Sequence, residues 1–171
     1  ATRARAAHGV TIGKDCVQNK CVGDTLSCEI TLGHADTFGD TIEVREAFDF
    51  VDPLPGANTR VPAVSGNLPI VAVFGNTDCV VGAFNAFCHV CAGGSAACGS
   101  PVGFADPGIV VFRQNTYVIQ AGDPNPLTDQ GNVRVRDTCD NTPTGCNSAT
   151  VSTVQFVAGT DIVPCCGANL V

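Results

Sequence analysis

The chain has 171 residues, enough for one domain with a sizeable core. Charged residues make up only 15% of it, well below the roughly 25% of ordinary soluble domains. With a net charge of −7 and no basic cluster beyond Arg3 and Arg5, the chain lacks what phosphate binding needs, so we expect no nucleic-acid partner. Its longest apolar run, PIVAVFG, is far shorter than the roughly 20 residues that span a bilayer, so we expect no transmembrane segment.

The N-terminal segment, residues 1–12, alternates like a strand. Its first half is too small and polar to bury much within its own domain, so it is either a frayed tail or a strand added to the sheet of a neighbouring copy. We predict the second, with residues 13–171 forming a single domain. The predicted subunit contact consists of the residues that share one face: Thr2, Ala4, Ala6, His8, Val10 and Ile12.

Further strands follow in chain order. In VGDTLSCEITL, apolar residues alternate with polar ones at period two, which indicates a strand with one buried face. In TIEVREAFDF, the predicted buried face carries Ile42, Val44, Phe48 and Phe50, and the opposite face carries Glu43, Arg45 and Asp49. Other predicted strands are PIVAVF, CVVGAF, IVVFRQNTYVIQ, NVRVRD and ATVSTVQFVA.

Turn-forming clusters rich in Gly and Pro separate these segments, and no long window has helical periodicity. The pattern predicts an all-β fold, a β-sandwich of about 7–9 strands.

The 11 cysteines indicate disulfides in an oxidising compartment. Proximity suggests that Cys16 pairs with Cys21 and Cys139 with Cys146, although connectivity does not follow from sequence. Cys28 is expected in the core, either as a buried free thiol or as half of a bridge between the sheets. The disulfide candidates are Cys16, Cys21, Cys79, Cys88, Cys91, Cys98, Cys139, Cys146, Cys165 and Cys166.

The stretch CHVCAGGSAAC, residues 88–98, has several chemical interpretations. Covalent haem attachment needs a His directly after the second Cys of the pair, and Ala92 stands there. Zinc normally needs two ligand pairs, and a thioredoxin-like pair needs a helix N-terminus. The favoured interpretation is therefore one or two disulfides that hold an irregular loop.

Candidate catalytic groups are scarce. His34 with Asp36, and the acid pairs Asp49 with Asp52 and Asp137 with Asp140, are more typical of turns and strand ends than of catalysis. The turn GDPNPLTDQG has oxygen ligands for calcium but no complete binding loop. We expect no enzyme activity, no bound metal and no cofactor.

The order of motifs resembles the conserved repeat domain of bacterial and archaeal surface proteins. VTIGKDC and VGDTLSCEITL precede DTIEVREAFDFVDPLPG, and NTYVIQ, PLTDQGNVRVRD and ATVSTVQFV follow. The residues that fit the pattern are Lys14, Gly23, Asp24, Leu54, Pro55 and Gly56; Cys28 replaces an aromatic residue, and residues 79–104 are a cysteine-rich insertion. The resemblance implies an extracellular immunoglobulin-like sandwich with a structural or adhesive role and no catalytic residues.

Together these observations predict a secreted structural protein, a subunit of an extracellular filament or surface assembly built by strand addition between its own copies. One alternative is a monomeric cell-surface module that binds a ligand or a surface glycan. Another is a small secreted redox or metal protein that uses the cysteines of residues 88–98.

Overall fold

The computed structural model describes residues 9–35, 39–52, 61–62, 67–85, 87–99, 105–140 and 151–165. Within them the strands are β1 Val10–Cys16, β2 Cys28–His34, β3 Ile42–Asp52, β4 Val61–Pro62, β5 Ile70–Phe74, β6 His89–Val90, β7 Ile109–Gln114, β8 Leu127–Asp137 and β9 Val151–Thr160. A single 3₁₀ turn, Ala96–Cys98, is the only helical element in these ranges. None of the helical structure described there is long and apolar enough to cross a membrane.

The strands form two antiparallel sheets. The first has the order β1-β2-β7-β5, and the second has the order β4-β3-β8-β9, with β6 also pairing with β3. The all-β prediction is confirmed at this level, as two sheets together with several disulfides.

Side chains of both sheets meet in the same core. The larger cluster includes Ile30 and Phe112 from the first sheet and Val44 and Val133 from the second. A smaller cluster at the other end of the strands contains Leu26, Cys28, Val51, Ile119 and Leu127, among others. Because strand residues alternate between faces, β2 contributes Cys28, Ile30 and Leu32 to these clusters, and β8 contributes Leu127, Val133 and Val135.

A β-bulge in β3 changes which residues face the core. Val44 pairs with Val135 and Glu46 with Arg134, so the residue between them has no counterpart on β8. The extra residue reverses the alternation for the rest of the strand. Ala47, Asp49 and Val51 are therefore buried, while Phe48 and Phe50 are only partly buried. The prediction that Phe48 and Phe50 face the core and that Asp49 faces away is wrong for this reason.

The N-terminal strand also differs from the expected division at residue 12. Val10 and Ile12 lie in β1, pair with β2 and pack against the chain's own core. They are not available to a neighbouring copy in this fold, which corrects their assignment to a subunit contact. Thr2, Ala4, Ala6 and His8 lie outside the described residues.

Two further strand predictions need correction. CVVGAF is irregular apart from a bridge between Gly82 and Ile70, and NTYVIQ forms no continuous strand after β7. Main-chain bonds from Leu26 N to Tyr117 O and from Ile119 N to Asp24 O instead tie NTYVIQ to the segment before β2.

The edges of the two sheets meet beside β1 and β9. Main-chain hydrogen bonds join Lys20 N to Asp161 O at 3.0 Å and Val163 N to Lys20 O at 2.9 Å. Gln18 Nε2 donates to Gly159 O at 2.8 Å. On this side the segment that follows β1 is thus bonded to the end of β9 and to the residues after it, whereas β5 and β4 end the sheets on the other side.

Candidate functional site: a buried lysine between two aspartates

Lys14 lies on the inner face of β1. It alternates with Ile12, which packs on the larger cluster, and with Cys16, which belongs to the smaller one. Its partner across the strand pair is Ile30 of β2. Alternation along the strand therefore directs the only lysine of β1 into the interior, between the two apolar clusters.

Two aspartates of the second sheet lie at the same level. Asp49 follows the β3 bulge and sits between Ala47 of the larger cluster and Val51 of the smaller one. On β8, Asp129 pairs with Val51, and Asp49 pairs with Gly131. The two carboxyl groups are thus diagonal neighbours on one sheet face, within reach of each other.

The lysine contacts both carboxyl groups at once. Lys14 Nζ donates hydrogen bonds to Oδ1 of Asp49 and to Oδ1 of Asp129. All three side chains have 0% exposure. The contacts connect positions 35 and 115 residues apart along the chain, so they join the first strand to two strands of the opposite sheet.

The burial of this site sets its electrostatics. Burial, together with the hydrogen bond and the negative charge of Asp49, raises the pKa of Asp129 to about 8, even though Lys14 acts in the opposite direction. Near neutral pH, Asp129 is therefore mostly a neutral carboxylic acid. The site then carries one cation and one anion, which avoids the large cost of a second buried charge.

The Oδ2 atoms of Asp49 and Asp129 lack good hydrogen-bond donors among the described residues. Among the described residues, Asp49 Oδ2 is buried without a hydrogen bond. Asp129 Oδ2 lies 3.4 Å from Cys28 Sγ, a bridged sulfur with no hydrogen to donate. The arrangement places a primary amine against two carboxyl groups in an environment that excludes water and solvates charge badly.

The cysteines among the described residues form bridges. The pairs within the described residues are Cys16–Cys28, Cys21–Cys165, Cys79–Cys88 and Cys91–Cys98. Cys28 is therefore neither a free thiol nor part of a bridge between sheets, because its partner lies directly opposite it on β1. The suggested pairing of Cys16 with Cys21 is wrong for the same reason. Cys139 is disulfide-bonded, and Cys146 and Cys166 lie outside the described residues.

The insertion is held by two short bridges. Cys79–Cys88 and Cys91–Cys98 use all three cysteines of CHVCAGGSAAC, so their sulfur atoms are not free thiolates for a metal. His89 Nδ1 lies 2.8 Å from Asp78 Oδ2 beside these bridges. The groups Cys16–Cys28–Asp129 and Asp78–Cys79–Cys88 are close enough for a metal, but each contains a bridged pair.

The other candidates from the sequence have structural partners. His34 is buried with Nε2 against the main-chain oxygen of Asp40, and Asp36 lies outside the described residues. Although partial burial acts to raise the pKa of Asp140, hydrogen bonds from Thr41 and Thr138 hold it below its ordinary value. Asp123, in the candidate calcium turn, accepts hydrogen bonds from Tyr117 and from the amide of Gln120.

Sequence reasoning missed this site, although one signal was present. Lys14 stands at an inward position of an otherwise apolar strand face, and a buried lysine requires a partner. The partners were hidden: the bulge moved Asp49 inward, and Asp129 looked like part of a polar turn. Nothing local connects either aspartate to β1.

The sequence matches none of the models of known protein families with which it was compared, and the search of curated proteins finds no significant match.

Proposed function

We propose that the chain is a secreted structural protein with an immunoglobulin-like sandwich fold, a subunit of an extracellular filament or surface assembly. Support for the fold comes from the strand order. Immunoglobulin-type sandwiches pair strands in the orders ABED and CFG, with an added C′ in larger members. Taking β1, β2, β3, β4, β5, β7, β8 and β9 as A, B, C, C′, D, E, F and G gives ABED and C′CFG.

The observation that carries the structural role is the covalent bracing of this frame. Cys21–Cys165 joins residues 144 positions apart, where the segments before β2 and after β9 meet. Cys16–Cys28 ties β1 to β2, and two more bridges hold the insertion. Disulfides of this density persist in oxidising, extracellular settings, and they restrict unfolding in a protein exposed to harsh conditions.

Copies of the chain are the proposed partners, joined by strand addition. Since β1 begins at Val10, the donor segment is the part before it, residues 1–8. The opposite side of the molecule offers β5, an edge strand of the first sheet whose Phe74 is 59% exposed. An added strand gains main-chain hydrogen bonds there and covers an apolar side chain that is unfavourable in water.

Deleting residues 1–8 tests the assembly contact. The expected result is loss of filaments in negative-stain electron microscopy and a monomer by size exclusion. The melting temperature of the monomer should change little, because β1 and its partners remain. A monomeric wild-type protein at micromolar concentration would favour the ligand-binding module instead.

A pair of point variants sharpens the same test. Ala4→Pro removes a main-chain donor that an added strand needs, whereas Ala4→Ser keeps it. We expect filaments from Ala4→Ser and none from Ala4→Pro. Filaments that form equally from both variants and from the deletion would refute strand addition by this segment.

A further inference from the structure

Lys14, Asp49 and Asp129, here called the Lys14 layer, have the functional groups needed for a condensation reaction. A primary amine contacts two carboxyl groups, and none of the three side chains is exposed to water. The contacts are held by β1, β3 and β8, whose pairings leave these side chains little freedom. Holding reactants together in this way replaces a bimolecular encounter by an intramolecular step, which is a large part of many rate enhancements.

We propose that Lys14 Nζ and the side-chain carboxyl carbon of Asp129 join in an intramolecular amide bond, with Asp49 transferring the protons. The reaction is one of the folded chain with itself. It needs no metal, oxidant or nucleotide, because the amine and the carboxylic acid contain all the atoms of the product and of the water that leaves.

The reaction conserves atoms and charge. Lys14 begins as an ammonium and gives a proton to the Asp49 carboxylate. The free amine attacks the carboxyl carbon of protonated Asp129, and a C–N bond forms. Asp49 then protonates the departing hydroxyl as its C–O bond breaks, and it takes back a proton from the nitrogen. The products are an amide, one water molecule and a neutral Asp49.

Asp129 is the acyl partner because it is the carboxyl group that stays protonated. A carboxylate resists attack by an amine, whereas a neutral carboxylic acid accepts it. Burial and Asp49 hold the pKa of Asp129 at about 8, so the reactive form predominates near neutral pH. Asp49 contacts Lys14 Nζ directly and is therefore placed to receive its proton.

The low polarity of the layer favours the product. Before reaction, the site holds a buried ion pair whose carboxyl oxygens are incompletely hydrogen-bonded. After reaction no charge remains, so the desolvation cost of the ion pair disappears. The bond would join β1 of one sheet to β8 of the other across 115 residues of chain.

The mass of the purified wild-type chain tests the proposal directly. After complete reduction, alkylation and denaturation, we expect a mass lower than that of the alkylated sequence by one water molecule. Fragmentation of a protease digest should show a branched peptide that joins Lys14 to Asp129. The full sequence mass, without a branched peptide, would overturn the proposal whatever the variants do.

Variants assign the roles. Lys14→Arg keeps the positive charge but should give the full mass, whereas Lys20→Arg, at the only other lysine, should keep the bond. Asp49→Ala should leave most of the chain unreacted. Asp129→Asn should still give the same branched peptide, now with loss of ammonia instead of water. Circular dichroism identifies any variant that fails to fold.

The position of the branch separates two assignments. A branch between Lys14 and Asp49 in the wild-type protein would overturn the roles proposed for the two aspartates. A bond that forms at the wild-type extent in Asp49→Ala would overturn proton transfer by Asp49.

Discussion

The cysteine-rich segment, residues 79–99, and the Lys14 layer hold the molecule together in different ways. The segment is conspicuous in the sequence, yet its two bridges span only 9 and 7 residues. The Lys14 layer involves three unremarkable residues, but its contacts span 35 and 115. A covalent link that closes a longer loop removes more freedom from the unfolded chain, so the amide proposed for the Lys14 layer would constrain the fold more than either loop bridge.

The two regions also differ in what can undo them. A reductant opens the disulfides of the loop and leaves an amide or an ion pair untouched. Substitution of one buried charge disrupts the Lys14 layer and leaves the loop bridges intact. The bridges therefore hold an insertion locally, whereas the Lys14 layer attaches one sheet to the other.

The largest expected effect is that of Lys14→Met. In an unreacted chain it removes the cation shared by two buried carboxyl groups, which costs about 3–5 kcal/mol, and in a reacted chain it removes the proposed cross-link instead. Urea unfolding followed by circular dichroism should show a strongly lowered midpoint under reducing and non-reducing conditions alike.

Lys20→Met is the matched control, since Lys20 uses its main chain to bond Asp161 and Val163. This substitution should change the free energy of unfolding by no more than about 0.5 kcal/mol, as for most surface substitutions. Equal costs for the two lysines would show that the Lys14 layer contributes nothing special to stability.

The double variant Cys21→Ser with Cys165→Ser should have the next largest effect. Opening a bridge with a sequence separation of 144 should cost about 5 kcal/mol, because the unfolded chain regains a long loop. The measurement is the free energy of unfolding in urea.

For comparison, Cys91→Ser with Cys98→Ser opens a bridge with a separation of 7, for which the same relation gives about 2 kcal/mol. If the short bridge proved the more costly of the two, loop length would not explain how the disulfides stabilise this chain.

Gly131→Ala tests the close approach of the two sheets beside the Lys14 layer. A Cβ at position 131 would lie 2.4 Å from Ile30 Cδ1, so the core must shift, at a cost of about 1–3 kcal/mol. Ile30→Val removes that methyl group, so the double variant should lose less stability than the two single variants summed.

Gly159→Ala, on β9, provides the contrast, since its added Cβ would come no closer than 3.4 Å to Pro126. If the losses of stability in Gly131→Ala and Ile30→Val simply added in the double variant, the contact between the new Cβ and Ile30 Cδ1 would not be what destabilises Gly131→Ala.

The sequence predicts the strands better than it predicts what joins them. Alternation is a local property, so it located β3, β5 and β9 within about two residues at each end, whereas for β2, β7 and β8 one end was misplaced by about five or six residues. The bulge at Arg45 is also local, but no residue type at this position indicates a bulge. It exchanges the faces on which Phe48 and Asp49 were predicted to lie. One inserted residue was enough to conceal a buried carboxyl group.

The second limit on prediction from the sequence was the pairing of residues that lie far apart along the chain. Cys16 and Cys28 became neighbours because β1 and β2 form a hairpin-like pair, whereas proximity along the chain favoured Cys21. Likewise, Asp129 meets Lys14 only because β8 lies across from β1. Contacts of this kind depend on the assembled sheets, so the sequence could indicate a buried lysine but not its partners.

The last expected effect is a pH dependence of stability that appears only when the Lys14 layer is unreacted. In Lys14→Met, burial and Asp49 still raise the pKa of Asp129, and the lysine that opposed the shift is gone. The folded state then binds more protons than the unfolded state between the two pKa values. Stability is therefore highest below the unfolded pKa of about 4 and falls as pH rises towards about 8 and beyond, by at most about 1.4 kcal/mol per pH unit.

The wild-type chain, with Asp129 consumed in an amide, should show a much flatter profile over the same range. Urea midpoints at about pH 5 and about pH 8 compare the two proteins. The groups facing Asp129 among the described residues are Lys14 from β1 and Asp49 from β3, and Cys28 is bridged and does not titrate. A variant whose stability rose with pH would mean that Asp129 is ionised in the folded state, and hence that water reaches the layer. Both the raised pKa of Asp129 and its condensation with Lys14 depend on the exclusion of water from the layer, so that result would contradict both.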